Sequence, residues 1–503
     1  MMSLVSIPIL IILPILAAII LVLPIFKNNA IYIRKFASGF SLFYFFYSIL
    51  FYILYNPIHN QGNCESCTFI PSFKSIFPIL NNKLLNQAGI SVSFGIDALS
   101  ISMIILTTFI IGIAIFSARL YINKHHKLFY CLILFLESIL VGIFSTTDMF
   151  VFFGLWELEL IPMYLLISIW GNRNAQKSAL KFILYTFGGS LFMLIGILLI
   201  YYTNFAISGS LIADITKLHI NNANIVLQIF ISLLLFIGFA VKIPLIPLHR
   251  WLADTHTDAA TPVSIILAGI LLKLGVYGLM RFNFGILPLA FAYMAPVIAL
   301  LGLIGIIFGA ALAYSQNDIK RIIAYSSISQ MGIIVLGLAS MSNVGYIGSI
   351  FHIVSHAIVA AGLFFAVGII KNKFGTGNIK RLSGIASVTP RLYGFTMLIS
   401  TSAMGIPFLS GFIGEFLSIY GAIISSIPSI KIIGLLSIGV VICTALYILR
   451  FIHNVFFGIL PDRFEKVQDI AIHEFIILGI ISLVIVLLGC FPSLLINFLD
   501  ISI

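Results

Sequence analysis

Long apolar runs follow one another along the chain and are separated by short polar segments. A helix needs about 20 apolar residues to cross the hydrocarbon core of a bilayer. The runs predict about fourteen membrane spans, at roughly 4–25, 36–55, 95–118, 128–146, 149–170, 179–202, 225–248, 259–280, 289–315, 322–340, 346–370, 385–424, 432–456 and 473–497. The strands of a membrane barrel would instead be short segments of alternating polarity, which this sequence lacks. We therefore predict an all-α polytopic membrane protein.

Two of the runs are interrupted close to an ionisable residue. Span seven is apolar up to Ala240 and continues as Val241-Lys242-Ile243-Pro244, and span twelve contains Pro407 and Gly411 before Glu415. Proline frees a backbone carbonyl, which is tolerated at this depth only beside protein or a polar cavity. The two interruptions lie five spans apart, and an odd offset inverts the second copy in the membrane. The sequence thus predicts two inverted five-helix repeats, spans 4–8 and 9–13, with broken helices in spans 7 and 12.

The runs also divide the chain into four segments without a soluble domain. We predict the following segments: 1–127 with spans 1–3 and an outer loop at 56–89, 128–282 with the first repeat, 283–457 with the second repeat, and 458–503 with the last span. The outer loop still contains several large apolar residues, which is typical of an interfacial segment. Cys64 and Cys67 lie in this loop and can form a disulfide, contribute to a metal site with further ligands, or have no role.

The formal net charge of +11 comes from residues that sort by side of the membrane. The loops after odd-numbered spans hold twenty Lys and Arg residues, Lys320 among them. The opposite side holds five: Lys74, Lys83, Lys217, Arg281 and Lys431. By the positive-inside rule, the loops rich in Lys and Arg face the inner side of the membrane. Both termini are therefore predicted on the opposite, outer side, which is the electropositive side of the membrane. Because the basic residues are scattered through short loops, the net charge does not indicate a nucleic-acid-binding surface.

Charged residues make up only 9% of the chain, yet Glu157, Lys242, Lys273 and Glu415 lie in the middle of apolar runs. A charge at mid-bilayer depth costs about 2.5–3.5 kcal/mol, and its default interpretation is an ion or proton path. The structural alternatives are a fixed ion pair for Glu157 and snorkelling for Lys273. Glu159 lies about 200° around a helix from Glu157, so only one of the two carboxylates can face such a path.

Further titratable residues lie within or beside the spans. Glu137 in span four is either a second carboxylate on the path or a packing residue. His352 and His356 are four residues apart, hence on one helix face, and form either a proton wire or a hydrogen-bonded core pair. His249 and His256 flank the inner mouth of span seven, where capping is the alternative role. The sequence contains no dinucleotide fingerprint, phosphate loop or iron–sulfur cysteine set, so we expect no redox centre or metal on this chain.

Several segments together resemble one known family over nearly the whole chain. They are Trp156-Glu157 with Leu160-Ile161-Pro162-Met163, Phe239-Ala240-Val241-Lys242-Ile243-Pro244, Lys320-Arg321-Ile322-Ile323-Ala324-Tyr325-Ser326-Ser327, Ser355-His356 and Gly411-Phe412-Ile413-Gly414-Glu415-Phe416. The chain resembles chain 4 (chain M in bacteria) of the proton-pumping NADH:quinone oxidoreductase, respiratory complex I. Glu415 favours chain 4, because the related chains 2 and 5 and most Mrp-type cation/proton antiporter subunits carry lysine there. An Mrp-type subunit is the alternative identification, and a scaffold subunit that does not pump is a third.

The resemblance assigns roles to the buried charges. It implies that Glu157 and Lys242 are the input pair, Lys273 the central carrier, His356 the connecting histidine, Glu415 the exit-side carrier and Glu137 a secondary carboxylate. His352, Glu159, His249 and Gln330 are expected as secondary positions. The chain departs from the family at Gln330, where histidine is usual, and glutamine can orient water but cannot titrate.

The resemblance also implies a translocase whose redox chemistry takes place elsewhere. NADH, FMN, iron–sulfur clusters and quinone are then bound by partner subunits, and the neighbours are chain 2- and chain 5-type antiporter-like subunits. The membrane is a bacterial inner membrane, a thylakoid or a mitochondrial inner membrane. We hypothesise a two-state relay in which quinone reduction shifts the Glu157–Lys242 pair between a closed and an open state. The open state raises the proton affinity of the carriers that follow, and closing expels a proton outward.

Overall fold

The computed structural model describes residues 6–26, 29–54, 73–76, 87–218, 220 and 222–500. Most of the predicted outer loop at 56–89 lies outside these residues, as do Cys64 and Cys67. The strands within the described part are β1 (Phe73–Ile76) and β2 (Ser93–Ile96), which pair antiparallel with Phe73 opposite Ile96. The rest of the described chain is predominantly helical.

The helices follow the apolar runs of the sequence. Up to the middle of the chain they are α1 (Ile7–Val22), α2 (Ala30–Leu54), α3 (Ala98–Ser117), α4 (His126–Ser145), α5 (Met149–Leu158), α6 (Leu160–Trp170), α7 (Ala175–Ser208), α8 (Ile225–Lys242), α9 (Arg250–Asp258), α10 (Thr261–Ile266) and α11 (Leu272–Gly278). The later helices are α12 (Pro288–Ser315), α13 (Ile319–Ala339), α14 (Asn343–Phe374), α15 (Pro390–Ala403), α16 (Ser410–Ile423), α17 (Pro428–Phe456), α18 (Ile472–Cys490) and α19 (Ser493–Asp500).

Twelve helical stretches of the described chain are long and apolar enough to cross a membrane, by length and composition. The first predicted span corresponds to the shorter helix α1, and the twelfth corresponds to α15 and α16 together. The all-α polytopic class is therefore confirmed, whereas the total of fourteen spans and the four-segment division stay predictions.

Both predicted helix breaks are present. Residues 243–249 separate α8 from α9, and residues 404–409 separate α15 from α16. Pro244 and Pro407 lie in these gaps, and proline lacks the N–H that would continue the helical hydrogen-bond ladder. The breaks leave main-chain carbonyls available to side chains at the level of Lys242 and Glu415.

A third irregularity, which the sequence pattern did not predict, lies in span eight. The stretch Thr261–Phe284, which is buried up to Asn283, contains two π-helical turns, Leu267–Leu271 and Leu279–Phe284, on either side of α11. A π turn widens the helix and leaves carbonyls without their usual partners, and such turns are frequent at functional sites. Lys273 is the second residue after the first of these turns.

The bundle is polar at its centre and apolar at its surface. Helices α13 and α14 are buried over nearly their whole length, and α14 carries two histidines in its interior. The outer helices expose large apolar side chains, such as Leu184 on α7, Tyr293 on α12 and Ile442 on α17. This is the arrangement expected where lipid or neighbouring subunits cover the outside and the ionisable groups are kept within the protein.

Two basic residues that we assigned to loops are in fact buried. Arg281 is 7% exposed and donates through Nη1 to Asp97 Oδ2 at 2.6 Å, while Asp97 also caps α3 at Ser100 N. Lys320 is 3% exposed and donates to the carbonyl of Ala259 at 2.9 Å. Loop assignment was wrong for both because each lies within a helical stretch that is packed against neighbouring helices.

Candidate functional site

The first polar cluster joins α8 to the turn between α5 and α6. Lys242 is the last residue of α8, and its Nζ donates to Oε1 of Glu159. Both side chains are almost inaccessible to solvent. The ammonium also lies 3.6 Å from the centroid of the Trp156 ring, so a cation–π contact adds to the ion pair. The cluster therefore holds one ammonium between a carboxylate and an aromatic face.

Glu157 does not bond directly to Lys242, the residue with which the resemblance pairs it. It is half-buried, the Ser190 hydroxyl of α7 lies against it, and its Oε1 has no hydrogen-bond partner among the described residues. The direct partner of Lys242 is Glu159 and not Glu157. The helix is interrupted at Glu159, which separates α5 from α6. Glu157 still lies near enough to Lys242 to interact with its charge.

Lys273 occupies the centre of the bundle. Its Nζ donates to the carbonyl of Ala268 at 2.5 Å and lies 2.9 Å from Nδ1 of His356. Ala268 belongs to the π turn, which explains why its carbonyl can accept from a side chain. Lys273 is fully buried, and no carboxylate forms an ion pair with it within the described part of the chain. Snorkelling is therefore excluded, since the side chain ends inside the protein.

A second series of contacts leads from α14 to α16. The rings of His356 and His352 lie 6.4 Å apart between centroids. His352 Nε2 lies 2.7 Å from Oε1 of Gln330, and Gln330 Nε2 donates to Oε1 of Glu415 at 2.9 Å. The structure thus brings together Lys273 and four further predicted residues in one buried series. Gln330, expected only as a secondary position, lies directly between His352 and Glu415.

A small cavity lies beside this series. Its volume is about 20 Å³, which exceeds the 10–15 Å³ or so that one water needs. Polar groups on several helices line it together with the residues of the series: Ser326, Ser327, Ser355, Ser402 and Tyr447. The site can therefore hold a hydrogen-bonded water between the histidines and Glu415.

The remaining candidates lie apart from these contacts. Glu137 on α4 is fully buried, and neither carboxylate oxygen has a hydrogen-bond partner in the described region. His249 precedes α9 without capping it through its side chain. His256 is buried and stacks on Phe364 at 4.5 Å, with both ring nitrogens unpartnered among described residues. The capping role that we considered is therefore not seen for either histidine, and the role of Glu137 stays a prediction.

The described residues contain no group of three His, Cys, Asp or Glu side chains that could hold a metal ion. The histidine pair instead contacts an ammonium at one end and an amide at the other. A cation beside Lys273 would be repelled by its charge. The arrangement suits the transfer of protons between neighbouring groups better than metal binding.

Close helix packing holds His352 in place, which gives a first testable prediction. A Cβ at Gly414 would lie 2.7 Å from Cα, Cβ and Nδ1 of His352. Overpacking of this kind typically costs about 1–3 kcal/mol, so Gly414→Ala is expected to displace the ring and slow proton transport about tenfold. Gly394→Ala is the matched control, because a Cβ there meets open space. Transport assays of both variants in the assembled protein check this, and equal rates would contradict the packing argument.

Comparison with known proteins identifies the family. The family model described as NADH:quinone oxidoreductase/Mrp antiporter, TM, matches residues 146–442. The NAD(P)H-quinone oxidoreductase chain 4 2 of Thermosynechococcus vestitus is 39% identical over 416 residues, which cover 81% of this chain and 77% of the relative. The chain belongs to the chain 4 family. The chloroplastic chain 4 of Physcomitrium patens is also 39% identical, over 407 residues that cover 79% of this chain and 80% of the relative.

Solved structures agree with this membership. Respiratory complex I from Thermus thermophilus with bound NADH contains a chain that matches with a TM-score of 0.84 at 25% identity, covering 99% of this chain and 98% of that one. The Mrp complex from Dietzia sp. matches with a TM-score of 0.83 at 20% identity, covering 98% and 96%, which shows a shared fold. The predicted identification as a chain 4 subunit of a quinone oxidoreductase is confirmed, and the protein is an integral multi-pass membrane protein.

Proposed function

We propose that this chain 4 family member carries protons across the membrane while partner subunits transfer electrons to quinone. The observation that carries the proposal is the buried series from Lys273 through His356, His352 and Gln330 to Glu415. Four of these five side chains can gain and lose a proton, and all five are buried. Intramembrane ionisable groups in such a row are typical of proton relays.

The ion pair at Lys242 provides the electrostatic input. When Lys242 stays close to Glu159, its charge is neutralised within the pair. When the pair opens, the free ammonium disfavours a proton on Lys273, and the proton moves on to His356. This sign is the reverse of the one hypothesised from the sequence, in which the open state raised the proton affinity of the carriers. Each proton works against about 2.3 kcal/mol per 100 mV of membrane potential. Interactions of charges about 4 Å apart near a protein surface are of about 4 kcal/mol, so the pair is adequate in magnitude.

The same proposal includes the assembly around the chain. NADH or a related donor, FMN, iron–sulfur clusters and quinone belong to partner subunits, with chain 2- and chain 5-type subunits as neighbours in the membrane. The membrane is an energy-converting one, with both termini on its positive side. The chain 4 relatives and Glu415 favour this function over that of an Mrp-type cation/proton antiporter. A complex purified through this chain is expected to contain flavin and iron–sulfur subunits.

The connecting histidine gives the test of the proton path. In His356→Phe a ring of similar shape remains, but Lys273 loses its titratable neighbour. We expect proton transport by the complex in liposomes to fall about a hundredfold, at the low end of the loss when one acid–base group is removed. The measurement is quinone-coupled acidification, followed together with the amount of assembled complex.

His453→Phe serves as the control for this test. His453 is exposed near the end of α17, where its ring lies beside Asn454 and Phe457 and outside the buried series. We expect this variant to transport protons like the unmodified complex. Unchanged transport in His356→Phe, with normal assembly, would contradict the proposed path.

A further inference from the structure

Gln330 lies between two titratable groups although it cannot itself carry a proton. Its Nε2 donates to Oε1 of Glu415 at 2.9 Å and to the carbonyl of Ala403 at 3.3 Å, and its Oε1 accepts from Nε2 of His352. The amide orientation follows from this hydrogen-bond network. In it, Glu415 presents an unprotonated oxygen and His352 carries its proton on Nε2.

The opposite amide orientation fits the opposite protonation states. If Glu415 takes up a proton, its O–H becomes a donor and needs an acceptor. Rotation of the Gln330 amide by a half turn offers Oε1 to Glu415 and turns Nε2 toward His352. Nε2 of His352 can accept that bond only when the ring proton is on Nδ1. The first amide orientation therefore goes with a deprotonated Glu415 and a proton on Nε2 of His352. The second goes with a protonated Glu415 and a proton on Nδ1 of His352.

The surroundings favour the first orientation at rest. The Ala403 carbonyl ends α15 at the helix break and accepts a second bond from Gln330 Nε2. After rotation this bond is lost, and the amide oxygen faces the carbonyl instead. Protonation of Glu415 is therefore what makes the second orientation favourable, and its deprotonation returns the amide to the first.

We propose that Gln330 is a two-position amide switch that couples the protonation of Glu415 to the tautomer of His352. The proposal rests on the proposed proton path and assigns Gln330 a positioning role within it. The titratable groups around the switch are His352 and His356 on α14, Glu415 on α16, Lys273 on α11 and Tyr447 on α17, which lines the same cavity.

One proton passes in each cycle of the switch. A proton from His356 binds Nδ1 of His352, which has no hydrogen-bond partner among the described residues. The ring then releases its other proton from Nε2 to a water in the 20 Å³ cavity, and the water passes one to Glu415. His352 is left with its proton on Nδ1, and the amide rotates. Until Glu415 releases its proton outward, His352 cannot repeat the transfer, so proton backflow and double loading are both blocked. After that release the amide rotates back, Nε2 of His352 takes up a proton from the cavity water and Nδ1 gives its proton back to that water, which restores the first tautomer without net proton transfer.

Two substitutions at Gln330 test the switch. Gln330→Met keeps the length of the side chain and removes all three hydrogen bonds, and proton transport is expected to fall about tenfold. Gln330→His replaces the amide by a group that can donate, accept and titrate, so transport is retained with a changed pH profile. Ser329→Ala is the control on the same helix, because Ser329 bonds to the Ile306 carbonyl and lies outside the series. Its rate and pH profile are expected to be unchanged.

Infrared difference spectra of the working complex provide a readout that a purely structural role would not move. With glutamine labelled by ¹⁵N in its side chain, we expect an amide band to shift together with the Glu415 carboxyl band. The Glu415→Gln variant identifies the carboxyl band, and Gln330→Met removes the amide shift. A shift of the Glu415 carboxyl band without an accompanying amide shift would overturn the switch. Because this measurement uses the unmodified complex, it tests the switch even if Gln330→Met fails to assemble.

The outcomes separate the switch from the proton path. Normal rate and pH profile in Gln330→Met, with transport lost in His356→Phe, overturn the switch and leave the path intact. Normal transport in His356→Phe overturns the path itself.

Discussion

Replacing Lys273 by methionine is expected to reduce proton transport about a hundredfold or more. Lys273 is fully buried and links the carbonyl of Ala268 to Nδ1 of His356. Methionine fills a similar volume but cannot accept or release a proton. Removal of a positioned acid–base group typically costs about 10²–10⁴-fold, and no other buried ammonium contacts the histidine pair among the described residues. Quinone-coupled proton uptake in liposomes measures the effect.

Two further variants make the Lys273 result specific. Lys273→Arg keeps the positive charge, but a guanidinium does not release its proton in proteins, so it is not expected to restore transport. Lys217→Met makes the same chemical change at an exposed lysine and is expected to leave transport unchanged. Restoration by arginine would mean that Lys273 acts through its fixed charge and not as a carrier.

The second large effect is expected at the ion pair of Lys242. Glu159→Gln removes the partner of a buried ammonium, and breaking a buried pair by removing one partner costs about 3–5 kcal/mol. We expect the assembled complex to unfold at lower temperature and to lose nearly all proton transport. Thermal unfolding and transport measured on the same preparation test both parts. A stable, active Glu159→Gln complex would show that this pair has neither role.

Glu157→Gln is the informative counterpart of this variant. Glu157 is half-buried and has no direct bond to Lys242, so its neutralisation leaves the buried ion pair intact. We expect transport to be nearly abolished, with assembly and unfolding temperature unchanged, because the charge of Glu157 acts on Lys242 without a direct bond. Equal destabilisation by Glu157→Gln and Glu159→Gln would instead indicate that Lys242 pairs with both carboxylates.

Sequence reasoning predicted most of the fold because membrane spans are determined by local properties. Apolar length and the positions of Pro244 and Pro407 depend on neighbouring residues alone. The two π turns around Lys273 were missed, because they arise from packing against other helices and leave no periodicity in the sequence. Lys320 and Arg281 were placed in loops for a related reason. A basic residue near a helix end resembles a loop residue in the sequence, and only the packing of other helices against it shows that it is buried.

The candidate residues were also found by sequence, but their partners were not. An ionisable residue in an apolar run is conspicuous whatever surrounds it, so Lys242, Lys273 and Glu415 could be singled out directly. The choice between Glu157 and Glu159 depends on which side of an interrupted helix faces α8. The place of Gln330 between His352 and Glu415 depends on how three helices meet.

By itself, the sequence determined the membrane class, the breaks in spans seven and twelve and the set of buried charges, because hydrophobicity and proline act locally. The tertiary structure alone decided that Lys242 pairs with Glu159, that Lys273 contacts His356, and that an amide separates the histidines from Glu415. Hydrogen bonds extend only about 3 Å, so they depend on the relative positions of helices that lie far apart in the chain.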